Sequence, residues 1–204
     1  MTRTAVSGNK MTTMKALVFH GPNQLALENR PKPKLVEATD AIVRITSTSI
    51  CGTDLHILKG DVPTVTDGRI LGHEGVGIVE KIGTHVMDLH KGDKVLISLI
   101  TSCGRCSFCK KGMQSHCLHG GWLLGNSIDG TQAEYVRIPF ADTGLYRLPA
   151  DIDDEAVVML SCNLPTAMEC GTLCWQVKPG DSVAIVGAGP VGLAVLLTTR
   201  LYSP

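Results

Sequence analysis

Cys103, Cys106, Cys109 and Cys117 stand at C-x2-C-x2-C-x7-C spacing in the stretch C-G-R-C-S-F-C-K-K-G-M-Q-S-H-C. Four thiolates this close in sequence can wrap one zinc ion in a tetrahedral cage with no vacant position, which makes a structural site rather than a reactive one. The chain holds 8 cysteines, so a disulfide-bridged secreted protein is the competing explanation. The spacing suits a metal, and no secretory signal is read at the start, so metal binding is the reading kept.

A second set of soft ligands is scattered. Cys51 lies in C-G-T-D-L-H, His73 in G-H-E-G-V-G-I-V-E-K-I-G-T-H-V, and Cys162 in S-C-N-L-P-T. Two cysteines and one histidine can hold zinc with one position open for a reacting group. Each alone reads as a buried, inert side chain; their combination with the cage points to a metal. Gly187-Ala188-Gly189-Pro190-Val191-Gly192 then matches G-x-G-x-x-G, after an apolar run and before a helical one. In that context the first glycine permits a tight turn, the second lets backbone approach a pyrophosphate, and the third lets helix and strand pack closely. The free N–H groups of the helix start face the phosphates. The acidic residue that grips the ribose is expected roughly 20 residues further on, past Pro204, so NAD and NADP are not distinguished.

These groups need a scaffold. Met14 to His20, Ala41 to Thr46, Val76 to Ile82, Lys94 to Ile100 and Ala133 to Ile138 read as short strands between Gly/Pro turns, the pattern of a small barrel or sandwich. From Asp153 the pattern changes. Asp153 to Met159 and Thr166 to Gln176 read as helices, Ser182 to Val186 as a buried strand, and Pro190 to Leu201 as a helix. The fold class is thus α/β with a β-rich N-terminal part. The divisions are residues 1–13 as a disordered extension, 14–162 as the zinc-binding domain, and 163–204 as the incomplete opening of a dinucleotide-binding domain.

Composition narrows the partners. Lys plus Arg number 19, equal to Asp plus Glu, so the net charge is zero and no broad basic face is expected for nucleic acid or anionic lipid. The apolar run Val183 to Leu197 is broken by Gly187, Gly189, Pro190 and Gly192, which argues against a membrane span. The expected location is cytoplasmic, with a weak mitochondrial alternative in the basic first residues.

From Met14 onward the chain resembles the zinc-dependent medium-chain alcohol dehydrogenases. The G-H-E-x-x-G-x5-G-x2-V stretch from Gly72 is similar to that family's zinc signature, and the four-cysteine lobe to its structural zinc site. The resemblance implies a GroES-like barrel followed by a Rossmann domain, two zinc ions per chain, and NAD or NADP as cofactor. It implies catalytic zinc ligands at Cys51, His73 and Cys162, with Glu74 beside the metal and able to approach it when ligands exchange. Asp54 matches a carboxylate that orients His73. Thr53 matches the hydroxyl that binds the substrate oxygen, His56 the residue that passes the proton to solvent, and Thr166 a threonine near the nicotinamide. The implied chemistry is Lewis-acid activation of an alcohol or carbonyl and hydride exchange with the nicotinamide. The implied full-length form is a homo-oligomer.

A rival from another class is a non-catalytic zinc-binding fragment or interaction module, because only one strand and one helix of the α/β domain are present. On this view the chain keeps zinc but turns over poorly. A zinc-free quinone-reductase relative is the third reading, opposed by Cys51, His73 and the cysteine lobe. Polyol, threonine and glutathione-adduct substrates fit the same ligands. His85, His90, His116 and His119 read as solvated or structural, and Arg105, Lys110 and Lys111 as solvated loop charge. Cys170 and Cys174 read as core thiols, while Trp122 and Leu123 suit a substrate pocket or a subunit contact.

Overall fold

The computed structural model describes residues 12–204. The expected extension over residues 1–13 lies outside them, except that Thr12 accepts a backbone hydrogen bond from Lys32 at 3.0 Å and Thr13 opens the first strand. Among the described residues eight strands form two antiparallel sheets. Strands β1 (Thr13–Gly21), β2 (Gln24–Pro31) and β4 (Arg69–Ile70) make the smaller sheet in the order β2-β1-β4. Strands β3 (Ala41–Thr48), β5 (Gly75–Ile82), β6 (Lys94–Ile97), β7 (Tyr135–Ile138) and β8 (Leu145–Arg147) make the larger one in the order β7-β3-β5-β6-β8. The segment before β7 joins the two, since Leu17 N–H donates to Gln132 O at 2.9 Å and Ala16 bridges Ala133.

Strand pleating explains how one sheet serves two cores. Side chains alternate faces along a strand. Val95 and Ile97 of β6 pack inward with Val43, Val79, Leu124, Val136 and Ile138. Leu96 lies between them in sequence and packs on the other face with Val76, Val157 and Val158. Each such buried aliphatic side chain contributes about 1.5–3 kcal/mol relative to exposure. Val157 closes helix α3 (Asp154–Val157), whose N-cap Asp153 accepts from Glu155 N–H at 3.1 Å, and Val158 opens a 3-10 turn through Ser161. That turn delivers Cys162.

β2 escapes the sequence pattern, as do the short β4 and β8. β2 carries Gln24, Glu28, Asn29 and Arg30, and leaves Leu27 70% exposed. It buries little and forms by pairing with β1, from Thr13 opposite Pro31 to Gly21 opposite Gln24. Conversely, the expected strand Ser182 to Val186 has no ladder partner among the described residues, and Val186 is fully exposed. A strand of a parallel sheet is defined by its neighbours, so apolar composition alone yields only extended chain here.

The remaining elements are helical. Helix α1 (Gly52–Lys59) follows Cys51, and α2 (Ala141–Gly144) precedes β8. Helix α4 (Asn163–Thr166) runs into a π-helical stretch, Ala167–Leu173, and α5 (Pro190–Arg200) packs on it through Thr172 Oγ1 and Thr198 Oγ1 at 2.7 Å. Cys170 and Cys174 are exposed, not core thiols. They lie on the outer face of the stretch, whose inner face gives Ala167 and Thr172 to the packing. The Gly187–Gly192 loop is a tight turn into a helix. Gly187 has φ +102°, a Cβ on Gly192 would meet Gly187 O at 2.0 Å, and Pro190 opens α5.

One clasp is sensitive to pH. His20 on β1 places Nε2 2.7 Å from Glu28 Oε1 and Nδ1 2.7 Å from Asp67 Oδ1. The hydrogen bonds to Asp67 and then Glu28 raise its pKa above the ordinary 6.5, against desolvation. Because the folded value exceeds the unfolded one, this contribution to stability is complete below 6.5 and fades as pH rises through the raised value. His20→Gln is therefore expected to flatten the dependence of the melting temperature on pH in that window. Melting curves from acidic to mildly alkaline pH read it, and an unchanged slope would count against the clasp.

Candidate metal centre

The four-cysteine lobe is pinched at its base. Thr101 and Gly121 exchange both backbone hydrogen bonds, at 2.9 and 2.7 Å. Within it the Sγ atoms of Cys103, Cys106, Cys109 and Cys117 all lie within 4.8 Å of one another. Cys106 Sγ and Cys109 Sγ are 3.5 Å apart, and Cys103 Sγ and Cys109 Sγ 4.0 Å. A disulfide needs about 2.05 Å. A tetrahedron with Zn–S of about 2.3 Å has edges of about 3.8 Å, which these separations bracket. Backbone N–H groups already face the sulfurs: Cys103 and His119 donate to Cys117 Sγ at 3.2 and 3.4 Å, and Cys109 to Cys106 Sγ at 3.5 Å. Hydrogen bonding, chiefly from the Cys109 amide, lowers the Cys106 thiol to about 6, while desolvation and neighbouring thiols push Cys109 up to about 12. The donor set fits one zinc ion.

The second cluster gathers Cys51, His73, Glu74 and Cys162, again with donor atoms within 4.8 Å. Three segments converge to make it. Cys51 is the N-cap of α1, His73 and Glu74 stand immediately before β5, and Cys162 lies between the 3-10 turn and α4. Gly72 makes the approach possible. It has φ +95°, and a Cβ there would meet Gln132 and Thr131 at 2.7 Å. His73 is 2% exposed, and the Trp122 ring meets it edge-on at 6.2 Å between centroids.

The electrostatics suit a cation. Hydrogen bonds from Cys162 and then His73 drive the Cys51 thiol down to about 3, and the same partnership pushes Cys162 up. Burial opposes charge on His73, but Cys51, Asp54 and Glu74 outweigh it and raise its pKa. Burial raises both Asp54 and Glu74. Asp54 Oδ1 and His73 Nδ1 are buried without a hydrogen-bond partner. Such orphans call for a partner. A cation held by two sulfurs and an imidazole would answer the excess of negative charge, and zinc takes that ligand set.

The surrounding residues fall in graded positions. Asp54 Oδ2 accepts from Cys51 N–H at 2.8 Å and Gln132 Nε2 at 3.2 Å, so it fixes the start of α1, and its link to His73 is through charge. Thr53 Oγ1 lies 3.7 Å from Cys51 Sγ, and Thr166 Oγ1 3.8 Å from Cys162 Sγ. His56, one turn along α1 from Thr53, is exposed with Nδ1 2.9 Å from Asp61 Oδ2. Gly187, Gly189, Pro190, Val191 and Gly192 form their own turn and touch neither cluster's ligands through any hydrogen bond among the described residues. Sequence reasoning missed Ser49 and Asn163, which both donate to the Glu74 carboxylate, Asn163 Nδ2 to Oε1 at 2.7 Å and Ser49 Oγ to Oε2. Their only sequence signal was proximity to Cys51 and Cys162.

Known proteins are similar to this chain in sequence and fold. Residues 37–150, more than half of the chain, match the alcohol dehydrogenase GroES-like domain. The medium chain reductase/dehydrogenase ucsI of an Acremonium species is 37% identical over 198 residues, covering 95% of this chain and 68% of the relative. Zinc dependent alcohol dehydrogenase 2 from Streptococcus pneumonia, solved in its apo form, is 56% identical with TM-score 0.88, covering 94% of this chain and 54% of that one. A putative zinc-binding dehydrogenase from Sinorhizobium meliloti, solved bound to NADP, is 31% identical with TM-score 0.80, covering 94% and 54%. The chain thus spans about half the length of the solved relatives it matches. Fold, paired cysteine clusters and these likenesses agree, and the chain belongs to the zinc-dependent medium-chain alcohol dehydrogenase family.

Proposed function

We propose that these residues form the zinc-binding half of an oxidoreductase that exchanges hydride between a small alcohol or carbonyl and NAD or NADP. The observation that carries this is the convergence of Cys51, His73 and Cys162 from three distant segments, with Glu74 beside them. Two zinc ions per chain are assigned, one in the closed lobe and one at Cys51, His73 and Cys162. The domain division at residue 162 follows, with 14–162 as the metal domain and 163–204 opening the dinucleotide domain.

When bound at the second site, zinc supplies Lewis acidity toward the substrate oxygen. The chain's own residues do the rest. Thr53 Oγ1, beside Cys51, accepts the substrate hydroxyl proton and hands it toward His56, whose Nδ1 is held by Asp61 at 2.9 Å. Asp54 fixes the α1 start, and its charge favours the ligating form of the site. Thr166, beside Cys162, would face the nicotinamide when the cofactor is bound. The Gly187–Gly192 loop and the start of α5 would hold the pyrophosphate of a bound dinucleotide. The NADP bound by the Sinorhizobium neighbour supports a nicotinamide cofactor of that class.

Turnover by the 204-residue chain alone is expected to be weak, because Val186, Leu193, Leu197 and Leu201 stand exposed around the cofactor loop. Metal analysis tests the reading first. The expected result is two zinc ions per folded chain, with cobalt substitution giving one all-sulfur and one mixed sulfur/nitrogen spectrum. An all-sulfur spectrum alone would leave the non-catalytic zinc-binding reading in its place.

A further inference from the structure

We propose that Ser49 and Asn163 form a latch that holds the Glu74 carboxylate beside the second metal site and so keeps one coordination position free for substrate. The inference rests on the metal reading above and adds two positioning residues to it. Glu74 is fully buried and its carboxylate oxygen lies as close to the ligand atoms as they lie to one another, all within 4.8 Å. A buried carboxylate at that range is itself a competent fourth ligand. Something must decide whether it binds.

The backbone cannot make the decision. Glu74 O accepts from both Thr48 Oγ1 and Thr131 Oγ1 at 2.8 Å. The next residue is held too: Gly75 N–H donates to Ser161 Oγ at 3.2 Å, and Ser161 Oγ donates to Gly75 O at 3.4 Å. Only side-chain rotation can carry the carboxylate toward a metal. That rotation is opposed at both oxygens, by Asn163 Nδ2 on Oε1 at 2.7 Å and by Ser49 Oγ on Oε2. Hydrogen bonds to a charged group are among the stronger ones, more so away from water. The two donors also sit on the chain segments that carry the thiols, Asn163 next to Cys162 and Ser49 two residues before Cys51. The latch therefore moves with the cage it guards.

The test loads cobalt into the chain and titrates imidazole as a probe of the free coordination position, read by the thiolate–cobalt absorption. Ser49→Ala/Asn163→Ala is expected to bind imidazole at least about tenfold more weakly, because the freed carboxylate occupies the position. Adding Glu74→Ala to that pair is expected to restore binding, and Ser49→Thr, which keeps the hydroxyl, to leave it unchanged. A purely structural role for the two donors predicts no rescue by Glu74→Ala. Unchanged imidazole affinity in the double variant, or weak binding that persists in the triple, overturns the latch. Ser49→Ala alone gives the same direction of change if the double variant fails to fold. A parent chain whose cobalt spectrum is all-sulfur overturns the metal reading itself, and the latch with it.

Discussion

His73→Ala is expected to halve the zinc content of the chain, leaving only the ion of the cysteine lobe. The reason is specific to the geometry. His73 is the one nitrogen ligand in a cluster otherwise built from two sulfurs and a carboxylate. Its loss leaves Cys51 and Cys162 with Glu74, and removes the positive partner that helps hold the Cys51 thiol near 3. In a full-length enzyme carrying the same substitution, alcohol oxidation is expected to fall by at least about 10³-fold, the scale of losing several kcal/mol of charge stabilisation in the transition state. Zinc analysis paired with nicotinamide reduction reads both effects. Full zinc content with normal turnover would remove His73 from the metal site. The lobe ion serves as an internal control, since its four sulfur ligands are distinct from the donors of the second site.

Cys106→Ser is expected to do the reverse. The lobe ion is lost, the second site keeps its own, and hydrogen exchange collapses to near-random rates across residues 101–121 only. Zinc binding in such a loop is largely its folding energy, so losing a ligand costs on the order of several kcal/mol locally. Few other forces hold the lobe. Its 3-10 turns, Cys109–Lys111 and Gln114–His116, bury only Cys109, and its other cross-links include the Phe108–His116 ring stack at 5.9 Å. Thr143 Oγ1 donates to Ser102 O at the base, which ties down the rim rather than the interior. Exchange measured by mass spectrometry distinguishes this from global unfolding. Protection retained inside the lobe without metal would show that side-chain packing, not zinc, holds it.

Much of this was legible in sequence because the chemistry is local there. The cysteine spacing at residues 103–117 and the glycine spacing at 187–192 each lie within one turn-forming stretch; the four sulfurs lie close together and Gly187 takes a positive φ. Alternating apolar residues placed β1, β3, β5, β6 and β7 for the same reason. What escaped depends on partners distant in the chain. β2 is stabilised by β1 and not by its own composition, and Ser182 to Val186 lacks the neighbours that would make it a strand. The stretch Cys51 to His56 reads as a ligand motif, which hid the helix α1 that carries it. Ser49 and Asn163 are ordinary polar residues whose meaning appears only once Glu74, 25 and 89 positions away, is folded against them.

The opposed faces of β6 carry a consequence for how errors would show themselves. Val95 and Ile97 seal one interior while Leu96 seats the turn that presents Cys162. A slip of a single residue in pairing would bring Lys94 or Ser98 to an inward place that Val95 or Ile97 now fills, and would turn Leu96 away from Val157 and Val158. Cys162, the second sulfur of that site, would then be displaced. Closing the interior and seating the metal ligand thus depend on one and the same strand register.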